Sequence, residues 1–146
     1  MRRNKLVLYV HLVWATWDRL PTITAESERR LYRNIESEAA RCGCTFLALN
    51  GTEDHVHLVL EIPATVAVAD IVKRVKGVSS HFVNDEFVRD GQFKWQGSYG
   101  ALTVSRWDID QIVAYVQCQK QHHSAHDLRQ DFEATYEEIP GGNARQ

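Results

Sequence analysis

The sequence lacks any apolar run near the roughly 20 residues that a membrane-spanning helix needs. Its first residues, MRRNK, are polar and basic, so they also lack the apolar centre of a secretory signal peptide. These two absences argue against membrane-spanning and secreted proteins. We therefore expect a cytoplasmic location and no contact with a membrane.

Cysteine is scarce as well, with three residues at Cys42, Cys44 and Cys118. An odd number without regular spacing does not form a disulfide framework. The Cys42-Gly43-Cys44 segment is not a C-x-x-C motif, and no second cysteine pair could complete a tetrahedral zinc site. We interpret all three cysteines as structural thiols.

A strong net charge is also missing. The formal net charge is −2, which does not by itself indicate a nucleic-acid-binding protein. Basic residues are nevertheless concentrated locally, at Arg2, Arg3, Lys73, Arg74 and Lys76. Such a surface is sufficient for phosphate contacts, although a solvated helix face explains the second group equally well.

The composition, with 44% hydrophobic and 25% charged residues, is typical of a folded globular domain rather than a disordered chain. We predict one domain over residues 1–133, because no linker or repeat divides it. A mobile tail is expected over 134–146, where Pro140-Gly141-Gly142 and polar residues disfavour regular structure.

The pattern of apolar residues predicts four strands and three long helices. Alternating, β-branched and aromatic residues favour strands over 5–16, 44–49, 55–62 and 98–104. Apolar residues at helical spacing favour helices over 24–41, 68–85 and 107–123. The order β-α-β-β-α-β-α predicts an α+β fold, a ferredoxin-like split βαβ antiparallel sheet with one added C-terminal helix.

Two histidines occupy alternate positions of the third predicted strand. Residues i and i+2 of a strand point to the same face, so His55 and His57 project side by side while Val56 enters the core. Two parallel imidazoles provide half of a divalent-metal site. The alternative is that the two histidines are surface residues that bind no metal.

The last predicted helix carries Tyr115 and Gln119 one turn apart, on one face. The Gln119 amide oxygen is a candidate third ligand, and two imidazoles with one neutral oxygen suit Mg²⁺ or Mn²⁺. His122 lies near the same face and competes for that role. A tyrosine hydroxyl beside such an ion could attack phosphorus and form a phosphotyrosine intermediate with a free 3′-OH.

Four other histidines have less specific interpretations. His123 is rotated away from the face of Tyr115, and His126 follows the helix, so both are expected to be solvent-exposed. His11 and His81 lie in predicted regular elements and are expected to be packed or surface residues rather than ligands.

The chain resembles the single-tyrosine HUH transposases of bacterial insertion sequences, the insertion sequence 200/605 superfamily, including REP-associated tyrosine transposases. The similar segments cover most of the sequence: HLVWAT from His11, RLP from Arg19, DHVHLVLEIP from Asp54, VKRVKGVSSHFVN from Val72, KWQGSYGALTVS from Lys94 and YVQCQKQHH from Tyr115. The HVH triplet alone is a weak motif, but its combination with WQGSYG and Y-x-x-x-Q-x-x-H-H in this order is specific.

This resemblance implies a function for the domain. It implies metal-dependent cleavage and rejoining of single-stranded DNA at hairpin-marked sites, in a bacterial cytosol or nucleoid, without a nucleotide cofactor. It also implies that His55, His57 and Gln119 bind the metal and that Tyr115 is the nucleophile. The candidate DNA contacts are Arg2, Arg3, Arg19, Lys73, Arg74 and Lys76, and exposed bases could stack on Trp17 or Trp95.

Two questions stay open at this point. The protein could instead be a domesticated REP-associated or inactive relative that binds structured single-stranded nucleic acid without mobilising an element. A homodimer is expected from the resemblance and from a first strand that is apolar on both faces, with a monomer as the alternative. A two-histidine phosphodiesterase is disfavoured because it would need a second His-x-Thr/Ser element on a facing strand, and no predicted strand carries one.

Overall fold

The computed structural model of the protein describes residues 1–88, 92–126 and 128–137. These residues form an α+β fold with one four-stranded antiparallel sheet, whose strands are β1 (Tyr9–Ala15), β2 (Thr45–Gly51), β3 (His55–Glu61) and β4 (Gly100–Val104). The helices are α1 (Ala25–Arg41), α2 (Val68–Glu86), α3 (Ile109–Gln117), α4 (Gln119–Ser124) and α5 (Gln130–Glu133). No helix in these ranges has the length and apolar character needed to cross a membrane.

The strand order in the sheet is β2-β3-β1-β4. The first strand is central and pairs antiparallel with both β3 and β4, while β2 pairs with β3 through a tight turn. Helices α1 and α2 connect β1 to β2 and β3 to β4. This is the ferredoxin-like arrangement predicted from the order of the elements, and the prediction is confirmed.

One face of the sheet packs against α1 and α2. Helix α1 begins with a capping box, because the Thr24 hydroxyl accepts from the Ser27 amide and the Ser27 hydroxyl accepts from the Thr24 amide. Its residues Leu31 and Ile35, spaced by one helical turn, are fully buried. They join the apolar residues of β1 and β3 in the larger core cluster, which includes the fully buried Trp14.

The opposite face of the sheet carries the polar residues His11 and His57 among apolar ones. Helix α3 covers this face over β2 and β3 with Ile112, Tyr115 and Val116. In β1, all residues from Val10 to Ala15, on both faces of the strand, are buried within a single chain. Its pattern of apolar residues on both faces no longer requires a second subunit.

Several predicted boundaries differ from the structure. Strand β2 ends at Gly51 rather than Leu49, because Asn50 and Gly51 still pair with β3. Strand β1 begins at Tyr9 rather than Lys5, because its pairing with both neighbours begins there, and Leu6–Leu8 remain partly exposed. Strand β4 begins at Gly100 rather than Ser98. The single helix predicted over 107–123 is interrupted at Cys118, whose φ of −96° and ψ of 19° are not helical.

The C-terminal segment packs beyond the predicted domain boundary at residue 133. Thr135 is 2% exposed, and the Ala134 carbonyl oxygen lies so close to Gly100 that a Cβ there would sit 2.2 Å from it. Glycine at position 100 therefore lets α5 dock against β4. The mobile tail remains a prediction for 138–146, which lie outside the described residues.

We predict that Gly100→Ala lowers the free energy of unfolding by about 1–3 kcal/mol, the usual cost of overpacking, because its methyl group would overlap both Ala134 and Val13. Gly77→Ala is the matched control, since a Cβ at this position in α2 meets no atom within 4 Å. It should stabilise the protein by roughly 0.5–1 kcal/mol. Urea unfolding of both variants checks this, and equal shifts would contradict the docking role of Gly100.

Candidate metal and tyrosine site

The two histidines of β3 lie side by side on the face covered by α3. His55 is 2% exposed and His57 is fully buried, whereas Val56 points into the larger core cluster on the other face. The predicted alternation therefore holds. The two imidazole centroids are 5.2 Å apart, with the rings nearly perpendicular.

The turn before β3 orients the His55 ring. Its Nδ1 lies 2.7 Å from Asp54 Oδ1 and 2.9 Å from Thr52 Oγ1. The hydrogen bond with His55 is the main reason that the pKa of the Asp54 carboxyl is lowered. With Nδ1 engaged, Nε2 is left for the site, where it lies 3.0 Å from His123 Nε2.

The second histidine is held between two buried groups. His57 Nδ1 lies 2.8 Å from His11 Nε2 on the neighbouring strand, and His57 Nε2 lies 2.5 Å from Glu133 Oε2. Burial lowers the pKa of His57. Burial, followed by the nearby His57, also lowers the pKa of His11 to about 3, so His11 is neutral.

Glu133, at the end of α5, is the central acceptor of the site. Its Oε1 accepts from the Tyr115 hydroxyl at 3.2 Å and from the Gln119 amide, and it lies 3.2 Å from His123 Nε2. Burial alone would raise the pKa of this carboxyl. The hydrogen bond and charge of His57, with smaller contributions from His55 and Gln119, lower it to about 2.

Sequence reasoning did not identify Glu133 as a site residue. It lies 76 positions beyond His57 and in a helix of four residues, too short for a periodic pattern. In the sequence it is one of several acidic residues near the chain end. Only the docking of α5 on β4 brings its carboxylate to the histidines.

The donor atoms of the site fit a divalent cation. His55, His57 and Glu133 each offer one ligand atom, and these atoms lie within 4.8 Å of one another. His57 Nε2 and Glu133 Oε2 are buried against each other, and within the described ranges the buried Gln119 Oε1 has no hydrogen-bond partner. Imidazole nitrogen and carboxylate oxygen atoms that converge in this way could bind a metal ion, and the Gln119 amide lies beside them in contact with Glu133.

Tyr115 lies directly beside this group of donors. Its hydroxyl donates to Glu133 and accepts from the Arg129 backbone N–H at 3.2 Å. Burial raises the pKa of the phenol. Its ring meets the edge of His57 at a centroid distance of 6.3 Å, so Tyr115 and the candidate ligands lie together within a single chain.

Two sequence predictions, for His122 and His123, differ from the structure because the last helix is interrupted at Cys118. His122, considered as a competing third ligand, stacks on the Tyr115 ring with centroids 4.7 Å apart. His123, expected to be solvent-exposed, instead contacts His55 and Glu133. A continuous helix would have directed it elsewhere. His81, expected to be either a packed or a surface residue, is exposed, and its Nε2 lies 3.1 Å from Asp85 Oδ2.

The predicted DNA contacts fall into two groups. Arg74 and Lys76 are engaged within the protein: Arg74 donates to Glu38, and Lys76 donates to the carbonyls of Gln96 and Ser98. The remaining side chains lie on exposed positions: Arg2, Arg3, Arg19 and Lys73.

Arg19 is the basic residue of this set that borders the site. Together with His55, His123 and Glu133 it lines a cavity of about 460 Å³, and its guanidinium lies 3.8 Å from Asp54. Of the two tryptophans considered for stacking, Trp95 is buried, whereas Trp17 is 47% exposed with the Lys94 ammonium 4.1 Å above its ring.

Comparisons with known proteins agree on one family. Residues 4–119 match the family described as IS200-like transposases. The ISDra2 transposase TnpA of Deinococcus radiodurans is 32% identical over 120 residues, covering 77% of this chain and 84% of that protein.

Two solved structures resemble the chain. A crystal structure of a Deinococcus radiodurans R1 protein described as a transposase superposes with a TM-score of 0.66 at 30% identity, over 82% of this chain and 98% of that one. A REP-associated tyrosine transposase bound to a REP hairpin gives a TM-score of 0.62 over 88% of this chain and 74% of that one. At 12% identity the second likeness concerns the fold alone. On its sequence and its fold, the chain belongs to the IS200-like transposase family.

Proposed function

We propose that this transposase cleaves and rejoins single-stranded DNA through a covalent phosphotyrosine intermediate on Tyr115. The observation that carries the proposal is the position of Glu133, whose carboxylate contacts both the Tyr115 hydroxyl and the candidate ligand His57. A nucleophile and a group of metal-binding atoms that share one carboxylate suit phosphoryl transfer.

The chemical step forms one bond and breaks another. The Tyr115 oxygen bonds to phosphorus, its proton passes to solvent, and the bond from phosphorus to the 3′ oxygen breaks. The 3′ oxygen gains a proton and leaves as a free 3′-OH, while the 5′ phosphate stays on tyrosine. Attack by another 3′-OH reverses these changes and joins the strands. Because both steps exchange one phosphate ester for another, no nucleoside triphosphate is needed.

A divalent cation, Mg²⁺ or Mn²⁺, would be held by His55, His57, Gln119 and Glu133. When bound, such an ion neutralises charge on the scissile phosphate and orients it for in-line attack. The mixture of nitrogen and oxygen donors supports this choice over a thiolate-preferring metal. Glu133 adds a negatively charged ligand to the two histidines and the glutamine that the sequence indicated.

Single-stranded DNA with hairpins is the proposed substrate. The structural neighbour solved with a REP hairpin supports this substrate class. Arg19, half-exposed beside the site, is placed to contact a phosphate, and exposed Trp17 offers a face for base stacking. The exposed residues Arg2, Arg3 and Lys73 are further candidates for backbone contacts. Arg74 and Lys76 are weaker candidates because the protein itself engages them.

Three expectations from the sequence stay predictions. One is a homodimer, although Tyr115 lies beside the histidines of its own chain and the site needs no residue from a second copy. Another is the cytosolic or nucleoid location. The last is the alternative function of binding structured nucleic acid without cutting it, against which the close approach of tyrosine and metal-binding atoms argues.

Metal binding should depend on both the histidines and the glutamate. Replacing His55 and His57 by alanine should abolish Mn²⁺ binding measured by calorimetry without DNA, and with it metal-dependent cleavage. Glu133→Gln removes the charged ligand and should weaken binding by about tenfold or more. Glu137→Gln, an exposed glutamate nearby, should bind Mn²⁺ normally. Undiminished binding in Glu133→Gln would remove this residue from the ligand set.

Tyr115→Phe should abolish the denaturation-resistant protein–DNA adduct, because it removes only the attacking oxygen. The two lost hydrogen bonds should cost roughly 1 kcal/mol of stability each, and hairpin binding should persist. Tyr136→Phe is the matched control, since that tyrosine is 67% exposed. Denaturing gel analysis after incubation with Mn²⁺ and labelled DNA measures the adduct. An adduct formed by the Tyr115→Phe variant would refute the assignment of the nucleophile.

The protein should prefer a single strand containing a hairpin to a fully paired duplex of the same sequence. A flexible strand can place its phosphate in line with the phenol, which a stiff duplex resists. Affinity should also fall as salt is added, because lysine and arginine contacts release counterions. Fluorescence anisotropy at several salt concentrations measures both effects, and equal affinity for blunt duplex would contradict the proposed substrate.

A further inference from the structure

His11 is a buried histidine that the proposed chemistry leaves unused. It lies in the middle of the central strand β1 and is 1% exposed. Its Nε2 is 2.8 Å from Nδ1 of the candidate metal ligand His57, in a contact that is itself buried. The register of β1 on β3 sets this contact, because His11 pairs with Val59 and Val13 pairs with His57.

Metal binding by His57 restricts where its proton can be. A neutral imidazole carries one proton, and a nitrogen that binds a cation must offer its lone pair. His57 Nε2 is the atom beside Glu133, so Nδ1 must keep the proton when a metal is bound. That N–H is buried, and His11 Nε2 is in position to accept from it.

We propose that His11 is a positioning residue that holds His57 in the ring orientation and tautomer required for metal binding. The inference rests on the proposed metal-dependent function. Hydrogen-bond partners behind a ligating histidine fix its tautomer and increase its basicity, and their loss typically weakens metal binding 10–100-fold. Asp54 and Thr52 act on His55 Nδ1 in the same sense. Each histidine ligand therefore has its own supporting partner.

A purely structural role for His11 makes a different prediction. Its Nδ1 is buried without a hydrogen-bond partner within the described residues, and its ring contacts the edge of Phe132, with centroids 5.6 Å apart. Leucine fills a similar space without an unpaired polar atom. If His11 only filled space, His11→Leu would preserve metal binding. If it positions His57, the same variant should fold well and bind metal poorly.

The test measures Mn²⁺ binding without DNA and thermal unfolding of the metal-free protein, for wild type, His11→Leu and His11→Gln. We expect His11→Leu to weaken Mn²⁺ binding about 10–100-fold while its metal-free melting temperature is unchanged or raised. The Gln side chain can place an acceptor oxygen near the position of the lost Nε2. His11→Gln should therefore recover most of the affinity. His81→Leu, which removes an exposed histidine, should change neither quantity.

Four results distinguish the possibilities. If His11→Leu binds Mn²⁺ with wild-type affinity, the proposal is overturned. It is also overturned if both variants lose Mn²⁺ affinity only in proportion to a fall in their metal-free melting temperatures. If His11→Leu does not fold, the comparison of His11→Gln with His11→Asn replaces it, because the shorter amide cannot reach His57; equal affinities then overturn the proposal. If the wild-type protein binds no Mn²⁺, the metal-dependent function fails first.

A spectroscopic measurement follows the tautomer itself. In ¹⁵N-histidine-labelled protein with diamagnetic Mg²⁺, the His57 Nδ1 signal should be that of a protonated nitrogen in wild type and in His11→Gln. At an Mg²⁺ concentration that saturates the wild type but not a variant with 10–100-fold weaker binding, the proton in His11→Leu should redistribute between the two nitrogens. An unchanged His57 signal in His11→Leu at that concentration would also overturn the proposal.

Discussion

The antiparallel pairing of β1 with β3 is the constraint on which the site depends. Its register places His11 and His57 on the same face of the sheet and close enough for a buried contact. A slip of one residue would turn the histidines towards α1 and α2 and their apolar neighbours towards α3. Burial of Trp14 and Val56 on the opposite face opposes such a slip. The hydrophobic core thus fixes the geometry of a polar site.

The chain builds a polar site around His55 and His57 inside a mainly apolar fold. Asp54 contacts Nδ1 of His55, and His11 contacts Nδ1 of His57. Glu133 contacts Nε2 of His57 and the Tyr115 hydroxyl. Buried polar groups are costly unless they are paired. Here most are paired with one another, and the ligand atoms of His55, His57 and Glu133 lie within 4.8 Å of one another. That concentration supports a metal site better than any single residue does.

Sequence reasoning succeeded where local periodicity determines the structure. Alternation identified His55 and His57 on one face of a strand, and a spacing of one helical turn brought Tyr115 and Gln119 together despite the break between them. It failed for His123 and Glu133. The direction of His123 depends on the non-helical backbone at Cys118, and the position of Glu133 depends on docking of α5, which no short-range pattern encodes.

The close packing of Ala134 on Gly100 has a consequence for the order in which the molecule is made. During synthesis the strands and the tyrosine helix leave the ribosome before the segment that carries Glu133. The carboxylate can join the histidines only after residue 134 has emerged and packed on the edge strand. Contacts between residues so far apart in sequence carry a larger loop-closure cost than local contacts. A nascent chain therefore holds Tyr115 before it holds a complete set of candidate site residues.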